Sequence, residues 1–406
     1  MNGSGVWHAD QAWLGRPASG VLIEVEAGLV TSVTENVPAP AGAERLMGWT
    51  IPGLANVHSH AFQRRLRGET ESGGGDFWEW RKQMYSAAQG WDRSSYSAFA
   101  RGVFREMLEA GITAVGEFHY LHQLGNELGL ALVDAAKAEG IRLTLIDSCY
   151  LRGGLDGRPL EGVQQTFSDG DVERWVRRME EMRDESGVRI GAAIHSVRAV
   201  DPASMRAVAG YARERKMPLH IHLAEQPAEV EQCLAAEKCT PTQLLEREGI
   251  LGADLTAVHS IHVDAADIER LGHSGVTICA CPTTERELGD HVGPLRALAD
   301  AGCPLSVGSD SNAVIDMLEE GRGLELDQRR ATGRRVLHQP SDLLVAATAS
   351  GMKALGWASG ELKAGMLADF VTVAAEGDFD PGHLMFARSK RDVTNVVVGG
   401  KTVVSR

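Results

Sequence analysis

Short apolar runs alternate with amphipathic stretches through most of the chain. Eight runs have the length and continuity of buried strands: Trp49–His58, Thr113–Tyr120, Arg142–Tyr150, Arg189–Val197, Pro218–Glu225, Thr256–Val263, Val276–Thr284 and Pro304–Ser311. Segments with apolar residues at helical spacing lie between most of them, among them Ser94–Ala110, Asn126–Glu139, Asp171–Glu185, Pro202–Lys216 and Ala265–Leu271. Eight strands separated by helices predict an α/β fold, a (β/α)8 barrel. The alternative is an open doubly wound sheet. The count of eight, and the lack of a Gly-x-Gly-x-x-Gly after an early strand, favour the barrel.

The two ends of the chain read differently. Val21–Val25 and Val30–Val33 flank Ala27-Gly28, a hairpin pattern, and a Pro/Ala/Gly-rich link runs from Val37 to Gly42. Near the other end come Ala368–Val373, Val393–Val397, Gly399-Gly400 and Thr402–Val404. Both ends are therefore β-rich.

With 406 residues, the chain can hold one large barrel with appendages, or two to three smaller domains. Its 41 basic and 55 acidic side chains leave a net charge of −14, which argues against a general nucleic-acid binder but not against a local cationic pocket. No run of about 18 apolar residues predicts a membrane span. Met1–Asp10 lacks the pattern of a secretory leader. The six cysteines (Cys149, Cys233, Cys239, Cys279, Cys281 and Cys303) form no Cys-x-x-Cys pair, and most sit in apolar runs and read as buried thiols of a cytoplasmic protein.

Histidine placement carries more information than composition. In a barrel the chemistry sits at the C-terminal ends of the strands. Eight of the 14 histidines fall there: His58, His60, His119, His195, His220, His222, His259 and His262. His58 and His60 are two apart on a strand, so they share a face and can share one metal ion. His220 and His222 also share a parity, which does not choose between them. Asp310 ends the eighth apolar run, where a carboxylate needs a partner or a cation.

The order His-x-His, then His-x-x-Glu, a histidine after the sixth strand and Ser-Asp after the eighth resembles the amidohydrolase superfamily, in its deaminase branch. The tail Gly360–Val371 resembles that superfamily's return to a β-sandwich. The resemblance implies a small sandwich from residues 1–48 and 359–406, and a catalytic barrel over 49–358. It implies that His58, His60, His222 and Asp310 hold one divalent metal ion, zinc in most of the family. It makes Glu225 the proton shuttle, Asp310 an acceptor for the water proton, and His259 the group that steadies the reacting centre.

Longer motifs narrow the resemblance. His58-Ser59-His60-Ala61-Phe62-Gln63-Arg64, Phe77–Arg81, Glu117–His122, His195–Val200, His220–Gln226, Cys281–Glu285 and Gly308–Ser311 together resemble the formimidoylglutamate deiminase family. That likeness makes Gln63, Arg81, Tyr120, His195 and Arg198 the residues that hold a small dianionic substrate. Arginine suits the task, because its planar fork binds carboxylates in pairs of hydrogen bonds. The likeness further implies hydrolysis of N-formimino-L-glutamate to N-formyl-L-glutamate and ammonia, in histidine degradation, by a homodimer that binds neither nucleic acid nor membrane. Arg286-Glu287 and Asn312–Asp316 depart from the family's commoner residues, which touches fine specificity. The rivals are a deaminase of a base such as guanine, or of a related amidine, and a catalytically silent binding protein. The intact ligand set weighs against silence.

Overall fold

The computed structural model describes residues 3–70 and 77–406, apart from the side chains of residues 77–79. Its first strands are β1 (Gly5–Trp13), β2 (Pro17–Glu26), β3 (Leu29–Thr34) and β4 (Glu44–Pro52). Ala27 and Gly28 both take positive φ, 50° and 82°, giving the two-residue turn whose twist suits a hairpin. β1 is not evident as a strand in the sequence: His8, Asp10 and Gln11 break its apolar alternation, and its pairing with β4 shifts register between Ala9 and Gln11.

Eight strands follow: β5 (Leu54–Ser59), β6 (Ile112–His119), β7 (Arg142–Cys149), β8 (Val188–Ser196), β9 (Leu219–Leu223), β10 (Leu255–His259), β11 (Thr277–Ala280) and β12 (Leu305–Val307). Each pairs in parallel with the next. The run Trp49–His58 is thus not one strand. Its first part belongs to β4, and the chain crosses into the barrel at Gly53, behind a Pro-Gly pair that is itself a turn signal. A Cβ at Gly53 would lie 2.1 Å from Thr113 Oγ1, so the crossing needs glycine. The helix predicted over Asp171–Glu185 is shorter, Val172–Met179: past its end the backbone bonds tighten to i→i−3, Glu181 N–H to Arg178 O and Met182 N–H to Met179 O, and the Arg183 guanidinium donates to the Glu180 and Met182 carbonyls.

The chain ends in β13 (Phe370–Val373), β14 (Val393–Val398) and β15 (Lys401–Ser405). These complete a seven-stranded mixed sheet in the order β15-β14-β13-β4-β1-β2-β3. That sheet encloses its own apolar cluster, with Trp7, Ile23, Leu46, Phe370 and Val397 among its members. A buried ion pair joins it to the base of the barrel: Arg142 on β7 holds Asp369 at 2.6 and 2.8 Å.

The barrel closes between β12 and β5. The two strands touch through the isolated bridge Ser59–Asp310, with His60 N–H donating to Asp310 O and Asp310 N–H to His58 O, both at 2.9 Å. Below it Asn56 stands in for ladder bonds: its Nδ2 donates to Ser309 Oγ at 2.6 Å and its Oδ1 accepts from Ser309 N–H at 2.9 Å. Gly308 lets the strands approach, since a Cβ there would sit 2.7 Å from His58 Cβ. An open sheet has no such closing seam.

One histidine cluster lies outside the barrel wall. His119, His122 and Asp147 bring buried ligand atoms within 4.8 Å of one another, as a metal triad would. Arg178 already fills the space, donating to both Asp147 oxygens at 2.7 Å, with Nη2 3.2 Å from His122 Nε2. The cluster fastens helix Val172–Met179 to β6 and β7. Burial opposes the Asp147 charge, but the guanidinium outweighs it and holds the carboxyl well below its usual range. A carboxyl depressed in the fold adds stability above its unfolded pKa and withdraws it as pH falls towards the folded value. Arg178→Met leaves the buried Asp147 charge without its guanidinium, with the Trp175 Nε1–H at 3.0 Å and the His122 ring at 3.4 Å still beside it, and should cost about 3–5 kcal/mol at neutral pH. Urea unfolding at pH 7 and pH 3 checks this: the loss should shrink on acidification, and an equal loss at both would refute the electrostatic account.

Candidate active site

The C-terminal rim gathers five of the eight singled-out histidines. His58 and His60 leave β5, His195 β8, His222 β9 and His259 β10, and all but His58 line one cavity. The other three lie elsewhere. His220, two residues before His222, has Nε2 3.3 Å from Ala354 O. His119 faces the Arg178 cluster, and His262 sits against the His291 ring at 5.2 Å. The structure therefore brings His222, and not His220, to His58.

The inner cluster is tight. His58 Nε2 and His60 Nε2 are each 3.5 Å from Asp310 Oδ1, and His222 Nε2 is 3.1 Å from His58 Nε2. Backbone carbonyls set the ring tautomers: His60 Nδ1 lies 2.8 Å from Phe118 O, and His222 Nδ1 2.9 Å from His195 O. With the proton on Nδ1, each Nε2 offers a lone pair to the centre. Burial pushes all three imidazoles down, His60 to about 3, so they are neutral. Burial would raise the Asp310 carboxyl, but its contact with His58 and the nearby His60 and His259 hold it low and ionised. Lone pairs of neutral imidazoles converging on a carboxylate need a cation between them, and this donor set fits a divalent ion.

Glu225 and His259 stand beside the cluster. Glu225 is buried, and desolvation lifts its carboxyl to about 7, where it can both take and give a proton. His259 Nε2 is 3.9 Å from Glu225 Oε1 and from Asp310 Oδ2. Its Nδ1 is 3.2 Å from Glu285 Oε1. Burial disfavours the imidazolium, but the surrounding carboxylates outweigh it and raise His259 to about 10. Ala224, His259 and Asp310 all adopt left-handed φ, at 49°, 70° and 45°. Strain of roughly 1–3 kcal/mol per residue is typical of backbone held in a set geometry at a functional rim.

The outer wall is cationic and aromatic. Gln63, Arg81, Tyr120, His195 and Arg198 all line the cavity. Arg198 gives only Nε to the protein, 2.8 Å from Glu229 Oε2, so among the described residues its two terminal nitrogens have no protein acceptor. Gln63 Nε2 is 3.2 Å from Tyr120 Oη, and its Oε1 is buried without a partner in the described structure. None of the departures in sequence is among the residues that line the cavity. Arg286 pairs with Asp327 at 3.0 Å, and Asn312 is buried in the seam, donating to Ser59 Oγ, His60 O and Asp310 O. Arg64, which reads in sequence as a solvated helix residue, donates to the Asn312 and Ala313 carbonyls at 2.6 and 2.9 Å.

Residues 49–403 match the Amidohydrolase family, most of the chain and the entire barrel. The chain belongs to the amidohydrolase family. Its similarity to formimidoylglutamate deiminase of Pseudomonas aeruginosa is 34% identity, covering 95% of this chain and 91% of that one. It is also 26% identical to a 5-methylthioadenosine/S-adenosylhomocysteine deaminase of Natronomonas pharaonis, over 95% and 88% of the two chains. A crystal structure of an amidohydrolase from Brucella melitensis superposes with a TM-score of 0.90 at 32% identity, covering 99% of this chain and 95% of that one. This amidohydrolase is a hydrolase of carbon–nitrogen bonds, of the deaminase kind. Among its described residues no helix is long and apolar enough to cross a membrane.

Several of the amidohydrolase's cavity residues are missed by sequence reading. Trp80, Met84, Tyr85, Tyr150, Phe167 and Leu288 all line the cavity. Two had a usable signal: Tyr85 is four residues beyond Arg81 on one helix face, and Tyr150 follows β7 directly. Glu285, which braces His259, stands in the quoted Cys281–Glu285 motif, but only the fold shows what it touches. Phe167 comes from a loop and carries no local signal.

Proposed function

We propose that the protein hydrolyses N-formimino-L-glutamate to N-formyl-L-glutamate and ammonia. The observation that carries this is one cavity with two unlike walls. A His/Asp cluster lies on one side, and Arg81 and Arg198 with Gln63, Tyr120 and His195 on the other. A dianion with a hydrolysable C=N group matches both walls. In this reading His58, His60, His222 and Asp310 hold one divalent ion, and the N3O donor set suits zinc. When bound, such an ion acidifies water and polarises the group under attack.

The side chains do the rest. Arg198 and Arg81 take the carboxylates, and Gln63, Tyr120 and His195 orient the chain between them. Asp310 and Glu225 accept the proton as water oxygen bonds to the formimino carbon. Glu225 delivers it to the terminal nitrogen, while His259, held cationic by the carboxylates around it, Glu225 first and then Glu285 and Asp310, steadies the charge that builds up beside it. The remaining hydroxyl proton passes by way of Asp310 and Glu225 to the same nitrogen as the C=O bond forms and the C–N bond breaks, so ammonia leaves carrying both water protons and the formyl group remains on glutamate. The reading also places the enzyme in histidine degradation, in the cytoplasm and as a homodimer.

The test is ammonia release from N-formimino-L-glutamate, guanine and 5-methylthioadenosine, with metal content measured on the same sample. Turnover of either purine compound and none of the formimino compound would overturn the reading. Arg198→Lys keeps the charge and loses the fork, so kcat/KM for the dianion should fall about 10- to 100-fold. An unchanged value would remove Arg198 from the carboxylate site.

A further inference from the structure

Two tyrosines in the cavity have no part in the roles above. Tyr85 lies on helix Phe77–Ala87, and Tyr150 lies just past β7. One amide joins them: Gln164 Nε2 is 3.2 Å from Tyr85 Oη and 3.2 Å from Tyr150 Oη. The far side fixes that amide's orientation, because Gln164 Oε1 accepts from the Glu161 N–H at 3.4 Å.

Counting protons gives the consequence. An amide nitrogen has two hydrogens, and here both go to phenol oxygens acting as acceptors. Each phenol keeps one O–H proton to donate, and among the described residues neither hydroxyl has a protein acceptor. Both tyrosines line the cavity, and the Arg81 guanidinium stands 5.2 Å from the Tyr85 ring centre. Two O–H donors beside a guanidinium form a receptor for anionic oxygen.

The receptor is set back from the His/Asp cluster. From His60, ring contacts run to Tyr120 at 5.2 Å, to Phe167 at 5.0 Å and then to Tyr85 at 5.8 Å. From His222 they run to His195 at 5.0 Å and to Tyr150 at 4.4 Å. In N-formimino-L-glutamate the side-chain carboxylate is two methylenes farther from the reacting group than the α-carboxylate. We propose that Tyr85 and Tyr150, held as a pair by Gln164, donate their hydroxyl protons to the side-chain carboxylate of the substrate. Gln164 is a positioning residue, and the two phenols set specificity for a dianion. This rests on the substrate reading above.

The experiment uses the full metal-loaded chain and two substrates: N-formimino-L-glutamate, and N-formimino-L-2-aminobutanoate, which lacks the side-chain carboxylate. Tyr85→Phe and Tyr150→Phe should each raise KM for the dianion about tenfold or more, with kcat within about twofold. For the monoanion both should change kcat/KM by less than about twofold, since the lost bond has no partner there. Gln164→Leu should raise KM for the dianion and spare kcat. Gln164→Glu should raise it further, because the new carboxylate captures both phenol protons and repels the substrate. Wild-type KM in both phenylalanine variants, or equal losses on both substrates, would overturn the inference. Failure of the wild type to release ammonia from N-formimino-L-glutamate would instead strike at the function itself.

Discussion

Glu225→Gln is expected to lower kcat by about 10²- to 10⁴-fold, the usual worth of a positioned general acid–base. Glutamine keeps the shape and a hydrogen-bonding end, and Glu225 is not one of the four proposed ligands. Metal content should therefore stay at the wild-type level, and KM should change little. The physical basis is the setting of the carboxyl. It is buried, desolvation lifts it to about 7, and it lies 3.9 Å from the His259 ring. A variant with full metal and near-native kcat would show that the proton moves by another route.

The second large effect is expected from His58→Ala, which should lose metal and activity together. His58 is fully buried and sits between Asp310 and His222, so its removal takes a donor from the middle of the set. Removing a mere supporting residue of a metal site costs about 10- to 100-fold in affinity, and loss of a ligand should exceed the upper end. Elemental analysis and turnover on the same preparation check this, with Asp310→Asn as a companion that keeps the side-chain volume. Full activity with no bound metal in either variant would refute a metal-dependent reaction.

The barrel and the inner cluster are largely legible in the chain, for a simple reason. Buried parallel strands read as continuous apolar runs, and a period of two places His58 with His60 on one face. What the sequence hides is anything set by contacts between distant segments. The run Trp49–His58 looks continuous because both of its halves are buried, although one half pairs with β13 and the other with β6. His119 looks like a rim histidine because it ends a strand, yet it points outward to the Arg178 cluster. Arg64 looks solvated because nothing local shows the Asn312 turn that it grips. Tyr150 was in reach of a stricter use of the rim rule, whereas Phe167 was not.

Gly53 is the joint between two incomplete sheets, and this has a bearing on how the protein is made. On one side of the joint β4 has its outer edge open until Phe370–Val373 is synthesised, because β13 is its second neighbour. On the other side β5 waits for β12 and the Ser309–Asp310 turn, about 250 residues later by the Asn56–Ser309 contact separation of 253. Neither layer can be finished from the residues that leave the ribosome first. Contacts so distant along the chain are slow to form, and open strand edges are the sites where nascent chains mispair. A chaperone that shelters an emerging chain would therefore have its longest task at residues 44–60, the segment that also delivers the first two histidines of the catalytic rim.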